Sequence, residues 1–409
     1  MDLIHGHRPV PRPQGIPVLD IDPYDEAVLA RPEPYYEALR AIGPFAHLPD
    51  YGVLICGRYA ETHEVFSDHT RFISSRGVGM EDRKYSDSWR KPSVLLERDP
   101  PEHTRTRRVM ARVMSPKAVA AMRDLFVDRA DALVENLVRK GSFEVVSELA
   151  EPYPTTAFVE AIGLTDSDPR KLVDYGAMVF NGSGPLNGMR RRALDMAPQI
   201  VPWIEAACDR RRIRPDGLAM EIYRAADAGE IDAEEAEMLV RSLLSAGVDT
   251  TVTGIGSAIW CLAHHPDEYR KLRESPDLLR PCIEEVLRFT SPVHTFARTA
   301  CVDTEVGGVA IGEDTRILCC LGAANLDPAK WGADADRFRI DRRPAGHMAF
   351  GAGVHGCVGQ NIARAEIEAV LAAVTARIAR IEPEGEAIWR PANAMRSLDS
   401  FRITVTADK

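Results

Sequence analysis

The residues with the clearest chemical potential in this 409-residue chain lie around one thiol. Positions 350–359 read Phe350-Gly351-Ala352-Gly353-Val354-His355-Gly356-Cys357-Val358-Gly359. Glycine at this density lets backbone approach a large, flat group closely. A helix is expected over 358–381, which puts Cys357 at its N-terminus, where partial positive charge and open N–H groups favour a thiolate. Gly351-x-Gly353-x-x-Gly356 spells the dinucleotide fingerprint, but 347–350 does not read as a strand and no acid follows at about 20 residues. Zinc would find only His355 and Cys357 close at hand. A nucleophilic Cys357 with His355 as base lacks an orienting third group, and an inert buried cysteine is the plainest alternative. Ligation of haem iron by the thiolate accounts for the glycines, the helix end and the missing further ligands together.

A second centre interrupts the longest helical period, 232–264. Asp232 and Glu235 make a capping-box start, and Pro266 stops the run. Such a helix would be roughly 50 Å long and would cross a whole domain. Its middle reads Ser245-Ala246-Gly247-Val248-Asp249-Thr250-Thr251, poor helix formers where burial should be greatest. That notch suits a helix opened around a ligand, with a carboxylate and a hydroxyl available to handle protons. The alternative is an interruption filled by side chains bonding back to the backbone. Glu285 and Arg288, three apart on a helical stretch over 281–289, would by themselves be an ordinary solvated pair.

The elements that must position these groups are mostly helical, with period also over 118–138 and 358–381. Hairpins are expected at 45–56, turning at Pro49-Asp50-Tyr51-Gly52, and at 304–311, turning at Gly307-Gly308. An apolar run over 316–321 follows, and the Pro-rich segment 9–34 should wrap the surface. The fold class is mainly α with small β sheets. No repeat or linker divides the chain, although its length alone allows two or three domains. No apolar run approaches the ~18 residues of a membrane span, and the N-terminus has no signal-peptide core, so a cytoplasmic protein is expected. Eight cysteines without Cys-x-x-Cys spacing argue against a disulfide framework. A net charge of −10 disfavours nucleic acid as a partner. Against that balance, 103–123 carries Arg105, Arg107, Arg108, Arg112, Lys117 and Arg123 and no acid. This is either a docking face for an acidic partner or a solvated helix face.

The pattern Phe350-Gly-x-Gly-x-His-x-Cys357-x-Gly359 resembles the haem-binding loop of the cytochrome P450 superfamily. Residues 246–251 are similar to its oxygen-activating helix centre, and Glu285-Val286-Leu287-Arg288 to its Glu-x-x-Arg helix. The resemblance covers essentially the whole chain and implies one domain, 1–409, in the P450 fold around haem b. It makes Cys357 the iron ligand in a loop shaped by Phe350, Gly351 and Gly359. It assigns proton handling on the opposite face to Asp249 and Thr250, and a buried structural pair to Glu285 and Arg288. His103, Arg107, Arg298 and His355 match positions that hold the haem propionates. No flavin or nicotinamide motif is present, so electrons should come from an iron–sulfur ferredoxin and its NAD(P)H-dependent reductase, for use with O2. The ferredoxin would dock on the face of Arg105, Arg108 and Arg112. A peroxide-driven enzyme often lacks the acid–alcohol pair, so Asp249-Thr250 argues against it, and no effector module supports a haem sensor.

Several stretches resemble the subgroup that oxidises para-substituted benzoates such as 4-methoxybenzoate by O-demethylation. They are Trp89-Arg90-Lys91-Pro92-Ser93, residues 239–247 and residues 291–296. The resemblance implies that Arg90, Ser93, Arg241 and Ser242 bind the substrate carboxylate. Ser242, Ala246 and Asp249 share one helix face, with Arg241 about 100° away; a surface pair of Arg241 with Glu237 is the alternative. Phe180, Ala246 and Phe296 would surround the ring. Ser183 stands where the subgroup typically carries a second Phe, which suggests a bulkier or ring-oxygenated acid of vanillate or cinnamate type. The competing substrate is a different small hydrophobic molecule, such as a phenol, terpene or natural-product intermediate.

Overall fold

The computed structural model describes residues 3–86, 88, 90–165 and 167–408; Trp89 lies outside them. Helices dominate, and the expected hairpins are present. Ala46–Leu48 pairs antiparallel with Val53–Cys56, and Thr304–Val306 with Val309–Ile311. The first hairpin opens a five-stranded sheet that continues through Arg316–Cys320, Thr295–Ala300 and Phe72–Ile73. Arg316–Cys320 is buried along its full length, which explains its unbroken apolar reading. The Pro-rich segment lies against this sheet, with the Leu19 N–H donating to the His47 carbonyl and the His47 N–H to that of Pro17.

The largest apolar core joins four helices. Gln360–Arg377 packs on Arg123–Lys140, on Leu279–Thr290 and on Asp249–His264. Two boundaries differ from the sequence reading. The helix after Cys357 ends at Arg377, and Ile378–Pro383 is a strand paired with Arg402–Ala407. Ile378 and Ile381 are buried in the strand and match the apolar positions of a helix equally well, so apolar period could not separate the two, and pairing across the chain decided the outcome. The stretch 118–138 likewise divides into Pro116–Ala120 and Arg123–Lys140.

The long helix is two. Ala233–Gly247 begins with the expected capping box of Asp232 and Glu235, and Asp249–His264 follows after Val248. Gly247 is required by packing. A Cβ there would lie 2.4 Å from the Phe158 ring. On the other side of the notch Ala246 is exposed, although the helices flanking it are largely buried. The notch therefore closes on Phe158 and opens at Ala246. Among the described residues, no helix is long and apolar enough to cross a membrane.

Candidate functional site

The glycine-rich loop is built from local constraints. Its ends are tied by the Cys357 N–H donating to the Phe350 carbonyl at 2.7 Å. Gly351 and Gly353 both have φ near +68°, and a Cβ on them would strike Phe66 and the Ser67 backbone. These glycines thus fit the loop against the end of the Tyr59–Ser67 helix. Arg364 stacks over Phe350 with its guanidinium carbon 4.4 Å from the ring centre.

Cys357 is half-buried, three residues before the first residue of Gln360–Arg377. Burial pushes its thiol up, while the Gly359 N–H, Arg107, Arg364 and the Gln360 N–H pull it down without cancelling the burial. The anion-stabilising helix end expected from sequence is there, but in the polypeptide alone burial outweighs it. A coordinated iron would supply the charge that completes the deprotonation.

Beside the loop, His103 and His355 stack with ring centres 4.4 Å apart. Arg298 lies with its guanidinium carbon 3.9 Å over Phe66, and its Nη1 donates to the Ala297 carbonyl. The His103 Nε2, both His355 ring nitrogens and the Arg298 Nη2 are buried without hydrogen-bond partners. His355 is 3.6 Å from Asp99, too far for a hydrogen bond. Burial holds the His103 imidazole down to about 4, with His355 and Arg107 adding to the effect, and brings Arg298 down to about 10. Buried donors left unpaired are costly, and two carboxylates arriving together would satisfy them. The four sequence-assigned positions thus fit the propionates of a haem, with Arg107 close enough to Cys357 to feel its charge.

At the notch, Asp249 is buried under Gly176, where an added Cβ would lie 2.6 Å from the Asp249 Cβ. One carboxyl oxygen accepts from Arg390 at 3.3 Å, and the other has no partner. Burial pushes this carboxyl up, and Arg390 opposes it. The Thr250 hydroxyl donates to the Ala246 carbonyl, so the back-bonding alternative holds for that residue and for Thr251 and Thr253. It does not hold for Asp249. Arg390 was not legible as part of this site, since it comes from a strand 141 residues away.

Phe180 and Phe296 meet in one small apolar cluster with Val293, Ala392 and Met395. The basic and hydroxyl residues of the expected carboxylate site are also near one another, but they are not idle. Arg90 donates twice to Glu97, at 2.7 and 3.1 Å, and the Ser93 Oγ accepts from the Leu96 N–H. Arg241 reaches the Lys91 carbonyl at 3.5 Å, and the Ser242 hydroxyl donates to the Met238 carbonyl. Ser183 donates to the Val179 carbonyl at the end of Pro169–Gly182.

Glu285 and Arg288 are fully buried and joined by two hydrogen bonds of 2.8 Å. Arg288 also donates to the Asn325 and Ala335 carbonyls, and Arg342 adds a third cation–carboxylate contact at 3.1 Å. This pair fastens the Leu279–Thr290 helix to the segment leading into the glycine loop. The basic stretch is less positive than its composition. Arg105 pairs with Glu235, and Arg112 pairs with Glu230 through two bonds, while Arg108 is exposed.

A family model for cytochrome P450 matches residues 184–277 and 276–391. A relative described as cytochrome p450 CYP199A2, from Rhodopseudomonas palustris, is 45% identical over 96% of this chain and 95% of its own length. The beta-dihydromenaquinone-9 omega-hydroxylase of Mycobacterium tuberculosis is 32% identical, covering 95% of this chain and 78% of the relative. Among solved structures, cytochrome P450 CYP109Q5 from Chondromyces apiculatus aligns with a TM-score of 0.79 at 27% identity, over 95% of this chain and 98% of that one. With this fold and these relatives, the chain belongs to the cytochrome P450 superfamily and is a monooxygenase that binds haem b through a cysteine thiolate.

Proposed function

We propose that this monooxygenase oxidises a small para-substituted aromatic carboxylic acid, and that it O-demethylates a para-methoxy ring. The observation that carries the reading is the approach of Arg241 to the Lys91 carbonyl, which brings the Arg90–Ser93 turn and the Ser242 helix turn to one neighbourhood. The meeting of Phe180 and Phe296 supports an aromatic ring next to it. The whole of 1–409 acts as one unit around the haem, and Cys357 is the residue that holds the iron. Phe350, Gly351 and Gly359 shape its loop, and His103, Arg107, Arg298 and His355 hold the propionates.

Bound haem b supplies activation of O2 with two electrons, giving one oxygen atom to the substrate and the other to water. The chain's own residues bind, orient and move protons. Arg90, Ser93, Arg241 and Ser242 fix the carboxylate, so that the para-methyl group is held toward Ala246 and the notch. Phe180, Ser183, Ala246 and Phe296 surround the ring and exclude water. Asp249, half-tethered by Arg390 and with one oxygen unpartnered, passes protons inward, and Thr250 accepts them once its hydroxyl turns from the Ala246 carbonyl. Oxidation of the methyl carbon gives a hemiacetal, which collapses to the phenol and formaldehyde.

Electrons come from a ferredoxin and its NAD(P)H-dependent reductase. Its docking face centres on Arg108, because Arg105 and Arg112 are partly neutralised by Glu235 and Glu230. The competing reading, a neutral hydrophobic substrate, draws support from the commitment of Arg90 to Glu97 and of Ser242 to the Met238 carbonyl. Spectral titration of the haem-loaded protein with 4-methoxybenzoate and with methoxybenzenes lacking a carboxylate separates the two. The acid alone should shift the haem spin state strongly. Equal shifts with the neutral compounds would reject the anion site.

A further inference from the structure

A polar cavity lies between the Gly77–Gly79 turn and the end of Pro169–Gly182, lined in part by Gly79, Arg83, Arg90, Glu97 and Ser183. Its floor is a shared carboxylate. Buried Glu97 accepts from Arg83 at 3.0 Å, from Arg90 at 2.7 and 3.1 Å, and from the Ser93 N–H at 2.8 Å. Arg190 pairs with Glu81 on the cavity wall, and Arg316 donates to the Gly77 and Glu81 carbonyls. Among the lining residues Arg83 and Arg90 balance Glu81 and Glu97, and Arg190 and Arg316 behind the wall add positive charge that an entering monoanion would meet. Two donors are left over here, the Nε–H of Arg83, which lines the cavity, and that of Arg190 behind its wall. The Arg83 Nε–H is buried and has no acceptor.

The position of the cavity suits one end of a rod-shaped aromatic acid. Gly176, Phe180 and Ser183 are four and three residues apart, so they lie along one side of the helix and its continuation. Gly176 packs on Asp249, Phe180 enters the aromatic cluster, and Ser183 reaches the cavity. Seven residues of helix cover about 10 Å. A para-substituted benzoate with its anionic end in the cavity therefore points its other end toward the notch. Gly79 lets this wall of the cavity close directly on Ser183, since an added Cβ would be 2.2 Å from the Ser183 carbonyl oxygen.

We propose that Arg83 is a specificity-determining residue whose Nε–H donates to the substrate carboxylate, with Glu97 holding Arg83 and Arg90 as a fixed pair. This rests on the aromatic-acid reading above and sets the carboxylate at the Arg90 end of that neighbourhood, since of Arg90, Ser93, Arg241 and Ser242 only Arg90 lines this cavity. The test is spectral titration of haem-loaded wild type, Arg83→Gln and Arg83→Lys with 4-methoxybenzoate and its neutral amide. Loss of one charge-assisted hydrogen bond should weaken the acid about 10- to 100-fold in Arg83→Gln and leave the amide within about threefold. Arg83→Lys keeps a cation beside Glu97 but not the Nε–H, so it should also weaken the acid selectively, and it carries the test if the glutamine variant takes up no haem. Undiminished acid binding in either haem-loaded variant would overturn the proposal. If wild type itself binds acid and amide equally, the failure lies with the aromatic-acid reading instead.

Discussion

Glu366 offers a stability experiment whose sign and size follow from its surroundings. It lies in Gln360–Arg377, fully buried, and neither carboxyl oxygen has a hydrogen-bond partner. Burial pushes its carboxyl well above the ordinary value of 4.5. Tyr153 nearby is also pushed up, by burial first and by Glu366 second. The folded chain therefore keeps a proton on Glu366 that the unfolded chain releases near the ordinary glutamate value. A folded-state value raised in this way contributes stability fully below the unfolded value and loses it as pH rises toward the folded one. Each pH unit inside that window costs about 1.4 kcal/mol. Glu366→Gln keeps the shape and carries no titrating proton, so its stability relative to wild type should climb by up to that amount per unit. For a chain of this length about 1 kcal/mol corresponds to roughly 1 °C in Tm. Thermal unfolding of both haem-loaded proteins near pH ~5.5 and pH ~7.5 should therefore show the difference growing by up to about 3 °C in favour of the variant. A difference independent of pH would mean that Glu366 is not stored as the neutral acid, and the reasoning would fail.

Arg288→Ala leaves Glu285 buried with only the Arg342 side chain and the Arg339 N–H as partners. It should lose about 3–5 kcal/mol, read as a lower urea midpoint, and Arg288→Lys should not restore it because the two-pronged contact is gone. Arg390→Met removes the cation that holds the Asp249 carboxyl down. The alkaline limb of the kcat–pH profile should move upward, and in Asp249→Asn that limb should vanish together with a roughly 10²- to 10⁴-fold loss of kcat. Arg298→Gln deletes a buried donor that has no protein acceptor. Haem transfer to an apoprotein acceptor should then quicken by about 10-fold or more.

The site was legible where chemistry is local in the chain. The glycines that must turn at Gly351 and Gly353, the capping box at Asp232 and the poor helix formers around Asp249 all act within a few residues. What stayed hidden depends on distant partners. Glu235 and Glu230 neutralise Arg105 and Arg112 from 130 and 118 residues away, so the basic stretch looked more exposed in charge than it is. Arg390 reaches Asp249 only because two short strands, Ile388–Arg390 and Ser397–Ser400, pair beside the notch, and neither has enough residues to show a period. Arg83 and Glu97 look like ordinary loop charges until folding buries them together. Glu366 gives no sign at all on a helix with apolar Ile362, Ile367 and Val370, since sequence does not show that a carboxyl is buried alone.

The most direct measurement is turnover of 4-methoxybenzoate by the haem-loaded protein with a ferredoxin, its reductase and isotopically labelled O2. Oxidation at the methyl carbon should yield 4-hydroxybenzoate and formaldehyde in equal amounts, with the label entering the formaldehyde and the phenolic oxygen unlabelled. Label in the phenol, or tight binding without any demethylated product, would contradict the proposed reaction.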